Sequence, residues 1–195
     1  MLQTRHTPRA GVLSLAPDVD LVRARAHEAS GPSRHLFALL VGGVTEGPVL
    51  WLRPTWSRDV IFGDGARAFL DPGRIVFGAA RTANEILWAA EEALRTGLMP
   101  LVVIELAEPP GLTPVRRLHL AAEEGAGRGA APLPLILTPG RGGAAGVETR
   151  WHLEAAPGLA LDGVARWRLS RLRARSAPEA SWEMIVRKGR IRLAP

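Results

Sequence analysis

T-A-N-E-I-L-W-A-A-E-E-A-L-R-T-G-L-M-P-L-V-V-I-E-L, residues 82 to 106, reads as a capped amphipathic helix, a short turn and a buried strand. Thr82 stands three residues before Glu85, the spacing at which a hydroxyl and a carboxylate satisfy each other's free backbone N–H groups at a helix start. Ile86, Leu87, Ala90, Ala93, Leu94 and Met99 make the apolar side, Glu85, Glu91, Glu92 and Arg95 fall mostly opposite, and Gly97 is the expected stop. After Pro100 the run Leu101-Val102-Val103-Ile104 has no polar alternation, as in a strand covered on both faces, and it ends in a lone acid, Glu105. Together these form half of a βαβ unit. Ligands in open parallel sheets sit at the carboxyl ends of such strands, so Glu105 is the first position to question.

Working outward, residues 1 to 17 show no sustained period and read as a leader, and residues 18 to 26 as a short helix opened by Asp18. Ala26 to His35 is a turn or short strand leading into an apolar helix, Leu36 to Val41, closed by Gly42 and Gly43. Val49 to Leu52 is a buried strand ended by Pro54, a short helix covers Ala66 to Leu70, Asp71-Pro72-Gly73 is a turn, and Arg74 to Phe77 is a third strand. Past Glu105, Thr113 and Pro114 mark a helix whose buried stripe is Val115, Leu118, Ala121 and Ala122. Leu133 to Leu137 is the next core strand, and Thr138 to Gly146 is a Gly-rich loop. From Trp151 the pattern changes to short strands, 151 to 153, 165 to 174, 182 to 186 and 190 to 193, with Lys188-Gly189 as a hairpin turn. The expected fold is α/β, a mostly parallel twisted sheet flanked by helices with an antiparallel C-terminal strand extension. It makes one domain over residues 25–195 behind a 1–24 leader, with a basic extension at 150–195.

Apolar residues at 47% of 195 and a mean hydropathy of +0.06 argue for a packed core rather than disorder. No run reaches the roughly 18 apolar residues of a membrane span and no secretory signal opens the chain, so a cytoplasmic location without membrane contact is expected. The absence of cysteine removes disulfides, thiolate nucleophiles and Cys-based zinc sites. Basic residues are 24 Arg and Lys188, and the whole formal excess of +6 falls in residues 150 to 195. Arg richness reflects coding bias as readily as binding, but this asymmetry points to an acidic partner, nucleic acid or protein.

Catalytic signatures are missing. His27-Glu28 opens a metalloprotease-like pair, but Gly31 stands where the second imidazole belongs, and the five His residues show no ligand spacing, so no metal is expected. Ser30, Ser33 and Ser57 lack the G-x-S-x-G elbow. Glu91 and Glu92 read as a solvated helix face. Ser30-Gly31-Pro32-Ser33 occupies the strand-to-helix position of a phosphate loop, but a working loop needs G-x-x-x-x-G-K-[ST], and here it is short, has no second Gly and lacks the Lys.

The order of Gly-Pro loop, apolar helix, G-P-V-L-W-L strand, R-I-V-F strand, the 82–95 helix, L-V-V-I-E strand and L-T-P-V-R-R-L-H-L-A-A-E-E-G helix resembles the core of the RecA recombinase family. H-E-A at 27 to 29, G-P-V-L-W-L at 47 to 52 and R-R-L-H-L-A-A-E-E-G at 116 to 125 resemble its ImuA branch, RecA-like proteins of inducible mutagenesis cassettes. The likeness spans roughly residues 25 to 190. Carried over, the family's phosphate-loop lysine has no counterpart between Ser30 and His35, the catalytic glutamate falls near Thr55, and the Walker B aspartate falls on Glu105, which is then expected to be a strand-end residue satisfied by local hydrogen bonds rather than a magnesium ligand. The loop that touches DNA in active recombinases corresponds to Thr138 to Gly146, where only Arg141 is available for phosphate. The resemblance implies a RecA-like fold without catalysis or cofactor, an accessory factor in SOS translesion synthesis and mutagenesis. Its implied partners are a Y-family-like polymerase subunit and an error-prone replicative-type polymerase, with RecA and single-stranded DNA as further contacts. Within this chain the candidate partner or nucleic-acid contacts are Arg166, Arg168, Arg171, Arg173, Arg175, Arg187, Lys188, Arg190 and Arg192. In a regular strand Arg171, Arg173 and Arg175 share one face, either as a phosphate track or as a charged guard on a sheet edge. Trp167 and Trp182 read as cross-strand core partners rather than base-stacking platforms. The alternative of another class is a SulA-like cell-division inhibitor, also RecA-type without a phosphate loop.

Overall fold

The computed structural model describes residues 11–59, 61–156, 165–187 and 190–194, and for Arg187 and Arg190 the backbone alone. The start at Thr82 follows its sequence signature. Thr82 Oγ1 accepts the Glu85 N–H while the Glu85 carboxylate accepts the Thr82 N–H. Helix α3 (Ala83–Thr96) then runs to Gly97, whose φ of 68° is the left-handed stop that glycine reaches at least cost. The numbering of the other elements follows the chain: β1 (Val12–Ala16), β2 (Val19–Val22), β3 (His27–Ser30), α1 (Arg34–Gly43), β4 (Val49–Pro54), α2 (Gly63–Ala66), β5 (Ile75–Ala80), β6 (Leu101–Glu105), α4 (Leu112–Ala126), β7 (Leu133–Thr138), β8 (Thr149–Ala155), β9 (Arg166–Ala174), β10 (Ala180–Arg187) and β11 (Arg190–Ala194).

Among the described residues nine strands form one sheet in the order β11-β10-β9-β8-β3-β7-β6-β4-β5. From β5 to β8 every neighbouring pair is parallel, and β8, β9, β10 and β11 pair antiparallel in turn. Thus β8 belongs to both parts: it closes the parallel sheet and opens the antiparallel extension. Alternation of side chains sends Trp51, Val103, Leu135 and Trp151 to a core shared with α1, and Leu52, Val102, Ile104 and Ile136 to a second core under α3 and α4. The central strands β6 and β7 are buried along their whole length, which is why their sequences show apolar runs instead of alternation.

Four expectations are corrected. Residues 18 to 26 contain no helix. Val12–Ala16 and Val19–Val22 pair as a separate two-stranded hairpin that packs on the α1-side core through Leu13, Val19 and Leu21. Its turn rests on Asp18 at φ 66°, and Ala24 beyond it has φ 56°, left-handed conformations that no glycine announces. Helix α4 begins at Leu112 with Gly111 as its cap, so Thr113 lies inside the first turn. The short helix α2 ends at Ala66, where the sequence places its start. Glu91 is buried rather than solvated: it accepts from Arg117 at 2.8 Å and Arg95 at 3.5 Å, tying α4 to α3.

The two helices meet backbone to backbone at Gly125, where an added Cβ would lie 2.0 Å from the Leu94 carbonyl oxygen. Because the obstacle is backbone, the helices must separate to accept it, and Gly125→Ala is expected to cost about 1–3 kcal/mol in urea denaturation. Gly111→Ala, with nothing within 4 Å of its Cβ, is the control for steric clash and is expected to cost no more than the roughly 1 kcal/mol by which alanine is a poorer N-cap than glycine.

Candidate functional site

The connections leaving β4 and β6 pass to opposite faces of the sheet: α2 joins the α1-side core, and α4 the other. Such a divergence opens a crevice at the carboxyl ends of the two strands, the usual place for a ligand in an open α/β sheet. It holds a cleft of about 300 Å³ with apolar walls from Leu36, Leu39, Ile61, Phe62 and Phe69, and a polar end at His35, Asp59 and Glu105. No helix of the described residues is long and apolar enough to cross a membrane.

Glu105 closes β6 and is only 7% exposed. Trp51 Nε1 donates to its Oε2 at 3.3 Å and Ser57 Oγ to its Oε1 at 3.3 Å. His35, one residue into α1, lies tilted against the Trp51 ring and brings Nε2 to 3.4 Å from Oε1. That approach is contact without a hydrogen bond, since Nε2 is buried with no partner in bonding geometry. Burial works against the charge on Glu105, but His35, Trp51 and Arg34 together outweigh it and hold its carboxyl below the ordinary range. Beside it Arg34 Nη2 stands 3.4 Å from Asp59 Oδ2, and Arg53 is turned to the Ser57 carbonyl.

The turn between β3 and α1 is adjacent and differently built. Pro32 has no N–H, the Ser33 N–H donates to Leu153 O of β8 at 3.0 Å, and the Arg34 N–H donates to Gly31 O. Gly31 has a φ of 93°, and a Cβ there would meet Leu153 O at 2.5 Å, so the turn is pressed against β8. With the Ser33 and Arg34 amides turned to protein carbonyls and none on Pro32, the turn itself offers no wrap of N–H groups around an anion.

The C-terminal cations separate instead of gathering. A β-bulge shifts the β8–β9 register so that Trp151 faces Arg171 while Arg150 faces Arg173. The expectation that Arg171, Arg173 and Arg175 share a face is therefore corrected: with Leu172 as the extra residue, Arg171 and Arg173 point to opposite sides of the sheet. Arg171 is a clamp, its guanidinium 5.8 Å from the Trp151 ring centroid and 5.2 Å from that of Trp182, donating to Pro178 O and Asp18 O. Arg175 lies beyond the strand, 3.4 Å from Glu148, and Arg166 reaches Glu183 at 3.1 Å. Arg168, Arg173 and Arg192 are exposed and make no ion pair among the described residues. Arg187 and Arg190 pair across the β10–β11 hairpin, and Lys188 lies outside the described residues. Trp167 and Trp182 pack on the core beside Leu169 and Met184.

Three residues have a prominence their sequence context does not signal. His35 and Asp59 join Glu105 only because the sheet order brings α1 and the segment after β4 to β6. Glu28, fully buried at the centre of β3, accepts from Thr138 Oγ1 at 2.6 Å, from the Gly143 and Ala144 amides, and from Arg150 Nε. It organises the 139–148 crossover that replaces a helix between β7 and β8. Comparison with protein-family models and with curated proteins returns no match to this chain.

Proposed function

We propose that the chain is a non-catalytic, RecA-like accessory factor of DNA-damage-induced translesion synthesis, of the kind the ImuA proteins represent, acting through contact surfaces on polymerase partners and single-stranded DNA. The observation that carries this reading is the open face of the antiparallel extension. On the α3/α4 side the helices cover the parallel strands, and among the described residues none of β8 to β11 enters their core. Arg168, Arg173 and Arg192 stand on that uncovered side, opposite Leu169, Met184 and Leu193 on the packed one. The β3–α1 turn supports the same reading, because Pro32 has no N–H and the Ser33 and Arg34 amides are committed to protein carbonyls where a nucleotide-driven relative would need them for phosphate.

Arg168→Ala, Arg173→Ala and Arg192→Ala combined are expected to weaken single-stranded DNA binding and to flatten its dependence on log salt by about 2, at roughly 0.7 per phosphate contact on single strands. A fluorescence-anisotropy titration across salt concentrations checks it. Arg171→Ala is the contrasting variant, expected to lower stability through its lost stacking and hydrogen bonds instead of the salt slope. A parent chain that ignores DNA but retains a protein partner through this face would favour the SulA-like alternative, and unchanged binding of both would remove the basic face from the proposal.

A further inference from the structure

We propose that His35, Asp59 and Glu105 form a binding site for a divalent transition-metal ion of the zinc type. One donor atom from each lies within 4.8 Å of the others: an imidazole nitrogen from α1, a carboxylate oxygen from the segment after β4, and one from the end of β6. Two ligands on a tetrahedral ion with bonds of about 2.0–2.2 Å sit about 3.3–3.5 Å apart. The 3.4 Å between His35 Nε2 and Glu105 Oε1 is that distance, in a pair that does not make a hydrogen bond. Asp59 must close the remaining gap, and its side chain, 61% exposed, has the freedom to do so.

The surroundings are those of a ligand set held in place. Trp51 and Ser57 fix the Glu105 carboxylate through N–H and O–H donors, and Arg34 takes Asp59 Oδ2, leaving Oδ1 for the ion. Two carboxylates supply the negative charge at the ion's position, while the guanidinium groups nearby are aimed elsewhere, Arg34 at the Asp59 oxygen away from it and Arg53 at the Ser57 carbonyl. An imidazole with only two carboxylates suits zinc or cobalt; magnesium asks for an octahedron of oxygens. Bound there, the ion ties the chain at Asp59, between Trp56 at 62% and Phe62 at 77% exposure, to α1 and β6. The site thus governs how those two aromatic side chains are presented.

The experiment needs neither DNA nor a polymerase, so its outcome is separate from that of the proposed function. The full chain, freed of metal by a chelator, is titrated with zinc by calorimetry and with cobalt by visible absorption. Saturable binding of one equivalent is expected. His35→Ala and Asp59→Asn should each weaken it by more than the about 10–100-fold that loss of an outer-shell partner costs. His152→Ala, which removes a second His–carboxylate pair at 3.6 Å, should leave it unchanged. Asp59 lies outside the core, so its variant tests the site without threatening the fold, and circular dichroism verifies both. Zinc should also slow proteolysis within 55–62. Absence of saturable binding, or equal affinity in parent, His35→Ala and Asp59→Asn, overturns the site; binding without protection overturns its hold on the segment.

Discussion

Replacing Glu28 with Gln is expected to destabilise the chain by about 3–5 kcal/mol, the usual result of breaking a buried ion pair from one side. The carboxylate is wholly buried and every partner donates to it: Thr138 Oγ1, the Gly143 and Ala144 amides, and Arg150 Nε. An amide in its place offers one acceptor and turns N–H groups toward donors, leaving the Arg150 charge without its counterion. Space adds to the constraint, because Gly142 passes so close that a Cβ would lie 2.7 Å from Glu28 Oε1. At about 2–4 °C per kcal/mol for a chain of this size, the melting temperature should fall by roughly 10 °C. Glu28→Gln with Arg150→Met removes both charges and should recover part of the loss, giving a coupling energy in a double-mutant cycle. A Glu28→Gln chain within 1 kcal/mol of the parent would mean that the crossover is held by the apolar contacts of Ala144 and Val147 instead.

The parts of this structure that could be read in advance are those whose causes are local. Thr82, Glu85 and Gly97 state the bounds of α3 within one stretch of chain, and the unbroken run before Glu105 states that β6 is covered on both faces. Glu105 itself could be singled out, since a strand-end acid in a parallel sheet needs only the βαβ pattern to be recognised. Its companions could not: His35 and Asp59 reach it across strand order, which no spacing encodes. The same holds for Glu28, whose partners lie 110 or more residues away. The β1–β2 hairpin escaped because Asp18 and Ala24 adopt positive φ without being glycine, and its burial comes from packing on the sheet rather than from its own periodicity. The bulge opposite Trp151 is a single extra residue in a basic strand, with no turn residue to mark it, yet it decides which arginines can act together.

Acidification should weaken the fold well before carboxylates titrate, and His27 supplies the largest share. The imidazole is fully buried on β3, with Nε2 2.9 Å from the Val22 carbonyl and Nδ1 2.7 Å from Thr149 Oγ1. A carbonyl can only accept, so Nε2 carries the hydrogen and Nδ1 accepts from the Thr149 hydroxyl, which in turn accepts from Trp151 Nε1 at 2.8 Å. This relay links β2, β3 and β8 and suits a neutral ring. Burial lowers the His27 pKa from 6.5 to about 4, against the opposing Val22 carbonyl and with His119 on α4 adding a little in the same direction. The unfolded chain takes up the proton near 6.5 and the folded chain only near 4, so stability is full above that window and falls as pH drops through it. At 1.36 kcal/mol per unit the loss approaches about 3 kcal/mol by pH 4. His119, also lowered by burial, adds to the loss, whereas Glu105, held below the ordinary carboxylate range, contributes only at lower pH. Urea midpoints from pH 7.5 to 4.5 should therefore descend for the parent and much less for His27→Gln, which keeps a donor for Val22 without the titration. A parent midpoint that stays level across that range, or an unaltered slope in His27→Gln, would show that the ring is protonated in the folded chain and that Thr149 has turned to accept from it.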